Sequence, residues 1–302
     1  MKPIPGGHVK REMLLHCFTL LLCACSAAAA AAAPATRPAD IDAKAAATLQ
    51  AWKPKLDAAG YRYLVAPPFV IAGDGGLLKL QIYRDQTILA AARALKHMYF
   101  DRDPQEPILI LLLESEGPYK RVSSDWLNET SPPHFGYFQP ARRVMVMNVG
   151  TGTGTLVHEL THALIVPDFP NVPSWFNEGL ASLYEQCTFV SNDEMRGLEN
   201  WRLPALQSAI RAGKLRPLAQ LVADRDFYDP AKSGLNYAQA RYLMMYLQEK
   251  GLLRAFYRRF RDHAADDPTG LNALRQTIAP LKLEAFETEW RAWVLKLRFG
   301  AP

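Results

Sequence analysis

The sequence predicts an α+β protein with two lobes. Three observations carry this: strand-length apolar runs before residue 150, helical apolar spacing between them, and almost wholly helical patterning after Gly150. Ala45–Lys53 has helical spacing and should stop at Pro54, whose ring clashes with the preceding turn. Tyr63–Ile71 reads as a strand ending at the Gly73–Gly76 turn. Gln81–Phe100 places Ile82, Ile88, Leu89, Ala92 and Leu95 at helical intervals, and Pro107–Leu113 is a solid apolar run, hence a buried strand. Tyr119–Leu127 is a short helix. Phe135–Phe138 and Arg143–Met147, separated by Gln139-Pro140-Ala141-Arg142, form a hairpin. Helices then follow from Leu156–Val166, which Pro167 should terminate, to Trp290–Leu297. The N-terminal lobe spans 45–166 and the helical C-terminal lobe 167–302.

The alternation Gly150-Thr-Gly-Thr-Gly-Thr155 is not a phosphate loop, because it lacks the Gly-Lys-Ser/Thr ending. It reads as a flexible entry to a helix with a Thr at the N-cap. Hydrophobic residues make up 49% of the 302 residues and charged residues 22%, which excludes a disordered or fibrous chain. The formal charge is +5, but Lys2, Lys10 and Arg11 against Glu12 account for +2 of it, leaving +3 for the body. That balance gives no argument for a nucleic-acid partner. In Arg254–Arg261, Phe256, Tyr257 and Phe260 share one helical face, so a core helix with solvated arginines is expected rather than a nucleic-acid patch. Trp290 and Trp293 should pack the last helix onto the helical lobe.

Residues 1–33 have the form of a bacterial secretory signal: Lys2, Lys10 and Arg11, an apolar run from Met13, and a small-residue tract ending at Ala33. The expected location is periplasmic or secreted. Leu22-Cys23-Ala24-Cys25 resembles a lipoprotein box, which would attach the chain to a membrane through lipidated Cys25. Cleavage within Ala27–Ala33 and an uncleaved anchor are the alternatives. Residues 34–44, rich in Ala and Pro, read as a tether. Three of the four cysteines lie in the leader, so the body keeps Cys187 as a small buried hydrophobe.

The chemistry is concentrated in His158-Glu159-Leu160-Thr161-His162. On a helix, positions i and i+4 share a face, so both imidazoles can meet one metal ion, and Glu159 beside them can serve as a general base. A catalytic zinc needs a third protein ligand and one open position. Sixteen residues after His162 stands Glu178, in the first turns of the helix beginning near Ser174, after the loop Pro167–Pro173 turns the chain back. Cys187, nine residues further, would lie roughly 13 Å away on a continuous helix and is a poor fourth ligand.

Trp175-Phe-Asn-Glu-Gly-Leu-Ala181 following His158-Glu-Leu-Thr-His162 resembles the gluzincin branch of zinc peptidases (clan MA), in particular exported bacterial peptidase-MA-like domains of unassigned function. The likeness extends to the hairpin upstream, to Tyr237-Ala-Gln-Ala-Arg-Tyr and to Glu289-Trp-Arg-Ala-Trp293. It implies a zincin-like fold with Zn²⁺ held by His158, His162 and Glu178, and Glu159 as base for hydrolysis of a peptide or protein substrate. Arg143–Met147 would then be the edge strand that receives an extended substrate. Related enzymes draw an oxyanion donor from a downstream Tyr, which points to Tyr237, then to Arg241 and Tyr242, with His134 as a further choice. Ser182 departs from the pattern, since thermolysin-like enzymes carry there a carboxylate that orients a ligand His. The rival expectation is a non-catalytic envelope scaffold on the same body; an aminopeptidase would need an acidic anchor for the substrate's amino terminus, and no motif for one is present. No oligomeric state is read from the sequence.

Overall fold

The computed structural model describes residues 40–300; the leader and the first part of the tether lie outside the described residues. Helix α1 (Ile41–Ala58) begins inside the stretch read as tether and continues through Pro54. Pro54 forfeits one backbone bond, but Ala45 and Leu56 on either side are both fully buried. Docking against the sheet therefore outweighs the lost bond.

The single strand expected over Tyr63–Ile71 is a hairpin. Strands β1 (Arg62–Ala66) and β2 (Phe69–Gly73) pair antiparallel around Pro67-Pro68. Neither proline has an N–H to give to a ladder, so the apolar run breaks there. The helical region beyond it is α2 (Leu77–Tyr83) and α3 (Leu89–Met98), joined by a π-helical turn at Arg84–Ile88. Then follow β3 (Ile108–Leu113), α4 (Glu116–Leu127) and the expected hairpin, β4 (Gly136–Gln139) with β5 (Val144–Asn148).

The five strands form one mixed sheet in the order β1-β2-β3-β5-β4. β2, β3 and β5 run parallel, and the two outer strands pair antiparallel to their neighbours. The edge strand is thus β4, and β5 is internal. This corrects the expectation for Arg143–Met147: every residue of β5 is buried because β3 and β4 pair with it from both sides. Val70, Leu109, Leu111, Val144 and Val146 face a core shared with α1 and α4, while Ile71, Ile108, Ile110, Met145 and Met147 face the larger core. Covering both faces explains the unbroken apolar runs of the central strands.

Helix α5 (Gly154–Asp168) lies on the second face, with Thr153 at its N-cap position. It passes through Pro167 rather than ending before it. Helix α6 (Ser174–Leu183) turns back beside α5. The next residues are not helical, as the sequence reading assumed, but a small hairpin, β6 (Cys187–Ser191) and β7 (Glu194–Gly197). Cys187 is therefore half-buried on a strand. Helices α7 (Leu203–Arg211), α8 (Leu218–Val222), α9 (Ser233–Glu249), α10 (Leu253–Asp262), α11 (Leu271–Ile278) and α12 (Leu283–Val294) complete the chain. Phe256, Tyr257 and Phe260 of α10 are buried as expected, and Trp290 is buried with its Nε1–H on the Tyr242 carbonyl at 3.0 Å. Among the described residues no helix is long and apolar enough to cross a membrane.

The reason α5 outlasts Pro167 is Asp168. Its buried carboxylate accepts the N–H groups of Asp101 (2.8 Å) and Arg102 (2.9 Å), the Tyr257 hydroxyl (2.7 Å) and the Arg261 guanidinium (2.9 Å). Burial pushes this carboxyl up, but Arg261, Tyr257 and the Arg102 N–H outweigh burial and hold it below the usual carboxylate range. A depressed folded-state pKa contributes stability that is full above the ordinary carboxylate value and is lost as pH falls through the depressed one. Asp168→Ala should cost about 3 kcal/mol in denaturant unfolding at neutral pH, because Arg261 and Tyr257 lose a buried partner. The cost should shrink in acid. An unchanged unfolding midpoint would remove Asp168 from this role.

Candidate metal centre

The centre is built where α5 and α6 pack. Leu156, Leu160 and Leu164 of α5 are buried in the core, which leaves His158 and His162, one turn apart, on the face toward α6. On α6, Trp175, Phe176, Leu180 and Leu183 are buried and Glu178 faces α5. Two glycines permit the approach. A Cβ on Gly179 would sit 3.1 Å from the Ala240 carbonyl of α9, and one on Gly154 would sit 2.3 Å from the Glu185 carbonyl. The second contact gives the threonine-glycine run a packing role beyond flexibility, since it seats the start of α5 against the end of the α6 segment.

The Nε2 atoms of His158 and His162 are 2.9 Å apart, and Glu178 Oε2 lies 3.4 Å from each. One ligand atom from each of the three residues falls within 4.8 Å of the others. Glu178 Oε2 is buried and has no hydrogen-bond donor. Three basic atoms in one buried spot require a cation among them, and this donor set of two imidazoles and a carboxylate fits a metal ion. In the metal-free chain a proton serves. Burial disfavours a charged His158, but Glu178 and Glu185 outweigh burial and lift the imidazole to about 10. Burial would raise Glu178, yet the two histidines hold its carboxyl well below the usual range.

Each ligand has a polar neighbour behind it, which for His158 is an ion-pair contact without hydrogen-bond alignment. Glu185 Oε1 lies 3.1 Å from His158 Nδ1, and Asn177 Oδ1 lies 2.8 Å from His162 Nδ1. The Tyr228 hydroxyl donates to Glu178 Oε1 at 2.8 Å, leaving Oε2 for the ion. Glu185 is itself clamped by both guanidinium nitrogens of Arg202 and by Asn200 Nδ2 at 3.3 Å. These partners supply what Ser182 does not. Glu185 closes the same segment that carries Glu178, and Asn177 directly precedes it, so both were within reach of sequence reasoning; Tyr228, fifty residues downstream, was not. Partners of this kind set ligand orientation and basicity. Glu185→Gln should therefore weaken metal binding about tenfold or more in a chelator competition, at near-constant volume. Equal affinity in the variant would show that Glu185 is only an ion-pair partner of Arg202.

Glu159 sits beside His158, partly exposed, where the centre opens to a cleft of about 770 Å³. Burial raises its carboxyl above the ordinary value, and the two histidines offset part of that rise. The cleft is flanked by β4. Asn148 N–H bonds the Phe135 carbonyl at 2.9 Å, so the antiparallel alternation turns the backbone groups of Gly136 and Phe138 outward. The Phe138 N–H acts on the Glu159 carboxyl, which puts the free strand edge next to it.

Tyr237 lines the cleft, and its phenol is raised by burial and then by the nearby Glu178 carboxylate, so it stays protonated. The other choices face elsewhere. Arg241 is fully buried and donates to the Ser182 carbonyl at 2.9 Å, capping the end of α6, and the Tyr242 hydroxyl meets the Asn200 backbone. His134 is an exposed loop residue packed edge-on against Phe135. The Cys187 thiol, raised to about 11 by burial, lines the cleft rather than the metal ligands. No protein-family model matches the chain, and no curated protein matches it either.

Proposed function

We infer that the protein is a zinc-dependent peptidase of the gluzincin type, acting outside the cytoplasm as its leader suggests. The observation that carries this reading is Glu159, a carboxyl on the cleft side of a group of three residues able to hold a metal ion. A purely structural ion has no use for a base beside its ligands. Zinc held by His158, His162 and Glu178 would act as a Lewis acid on the peptide carbonyl and make water acidic enough to lose a proton near neutral pH.

The remaining work falls to the chain. Glu159 takes the proton of the attacking water and returns it to the leaving amine. Tyr237, protonated and facing the cleft, donates to the carbonyl oxygen as negative charge develops there. The outward N–H and C=O of Gly136 and the C=O of Phe138 align an extended substrate along β4.

The test is a digest of a diverse peptide library by zinc-loaded protein, with and without a chelator. Chelator-sensitive cleavage is expected. A zinc-loaded protein that cleaves nothing would leave the scaffold reading in its place.

A further inference from the structure

Among the described residues five large aromatic side chains are exposed: Phe135, Phe189, Trp201, Tyr228 and Phe299. Three of them, Phe135, Phe189 and Trp201, line the metal cleft, and a fourth, Tyr228, bonds Glu178 at its base. Exposed aromatic surface is unfavourable in water, and its concentration around one opening marks a binding surface. Trp201 is 63% exposed, with one ring face covered. The Arg202 guanidinium stacks on its ring at 4.0 Å, and Arg202 is fixed by Glu185 behind His158. An exposed Trp beside the centre offers large apolar contact area to a ligand.

The cleft also carries a second free strand edge. Leu198 N–H bonds the Gln186 carbonyl at 2.8 Å, so the alternation along β6 turns the backbone of Cys187 and Phe189 away from β7. The outer edge of β7 is already used, because Gln248 takes both the N–H (2.8 Å) and the C=O (3.1 Å) of Gly197. Among the described residues nothing bonds the outward backbone of Cys187 or Phe189, and both residues line the cleft. The cleft therefore has unpaired strand backbone from two strands, β4 and β6, together with exposed aromatic rings.

We propose that the cleft selects extended polypeptide segments with bulky apolar side chains flanking the bond to be cut, gripped through their backbone by β4 and β6. Phe135, Phe189 and Trp201 determine this specificity. The selectivity rests on the peptidase reading for the position of the bond, but binding separates the two. Full-length protein carrying Glu159→Gln is titrated, in zinc-containing buffer, into labelled peptides of equal length, and anisotropy reads the affinity. One peptide carries Phe and Leu at its centre, a second carries Ser and Gly there, and a third is the first with central amides N-methylated.

The apolar peptide should bind about tenfold or more tighter than the polar one, the difference that burying one large side chain gives. N-methylation should remove a similar factor by blocking the strand pairing. Phe189→Ser and Trp201→Ser, both at exposed positions and checked by melting curves, should each narrow the gap between apolar and polar peptides. Equal affinity for all three peptides, or a gap untouched by both substitutions, overturns the proposal. Selective binding with no cleavage by wild type would refute the peptidase reading and leave the selectivity standing. Cleavage of apolar and polar peptides with equal kcat/KM would do the reverse.

Discussion

Glu159→Gln should abolish peptide hydrolysis, by about 10²-fold or more in kcat, while zinc content and the melting curve stay at wild-type values. The amide has nearly the volume of the acid, and Glu159 makes no contact in the centre that Gln could not replace, so packing should not respond. What is lost is the acceptor for the water's proton at neutral pH. Tyr237→Phe should also slow turnover about 10²-fold by deleting one donor to the developing oxyanion, with zinc retained. Steady-state rates on a cleaved library peptide, paired with metal analysis of the same samples, check both. Full activity in Glu159→Gln would place the chemistry at another site. Wild type and variant equally inert with zinc bound would favour the scaffold.

His158→Ala or His162→Ala should reduce zinc from about one ion per chain to a small fraction of that on purification, since two donors hold the ion poorly. Loss should be more complete for His158. Glu178 loses one imidazole in either variant, but removing His158 also takes the imidazole from beside the buried Glu185 carboxylate, whereas removing His162 takes it only from the neutral Asn177 amide. Elemental analysis of purified proteins is sufficient. Stoichiometric zinc in both variants would end the assignment of the centre.

The grouping of His158, His162 and Glu178 was legible in the sequence because helical geometry alone brings residues 158 and 162 to one face, and a short loop leaves few places for Glu178. The central strands were legible for a related reason. A sheet covered on both faces writes continuous apolar runs such as Ile108–Leu113. What failed was local punctuation overruled by packing. Pro54 and Pro167 look like helix ends, but Leu56 and Asp168 beyond them are held too well for the chain to stop. The pair Pro67-Pro68 erred the other way, dividing an apolar run into two strands. The choice of β4 over β5 as edge was also hidden. Strand order is a long-range property, and the available sign, the unbroken apolar run Val144–Met147 against Gly136-Tyr-Phe-Gln139, was read only as hairpin patterning. Tyr228 was missed because nothing in its neighbourhood sets it apart from other surface tyrosines.

The free edge of β4 has a consequence for the protein's behaviour in a crowded compartment. Unpaired strand edges invite copies of the same chain to zip together and grow into aggregates. β4 is only four residues long, and it is bracketed by Pro132 and Pro133 before it and Pro140 after it. None of these prolines has an N–H to extend a ladder. Only Gly136 and Phe138 present outward backbone, enough for a few bonds to a passing peptide and too few to hold a second molecule edge to edge. The brevity of the strand and its flanking prolines work against edge-to-edge pairing of two copies on the same surface that could receive a substrate.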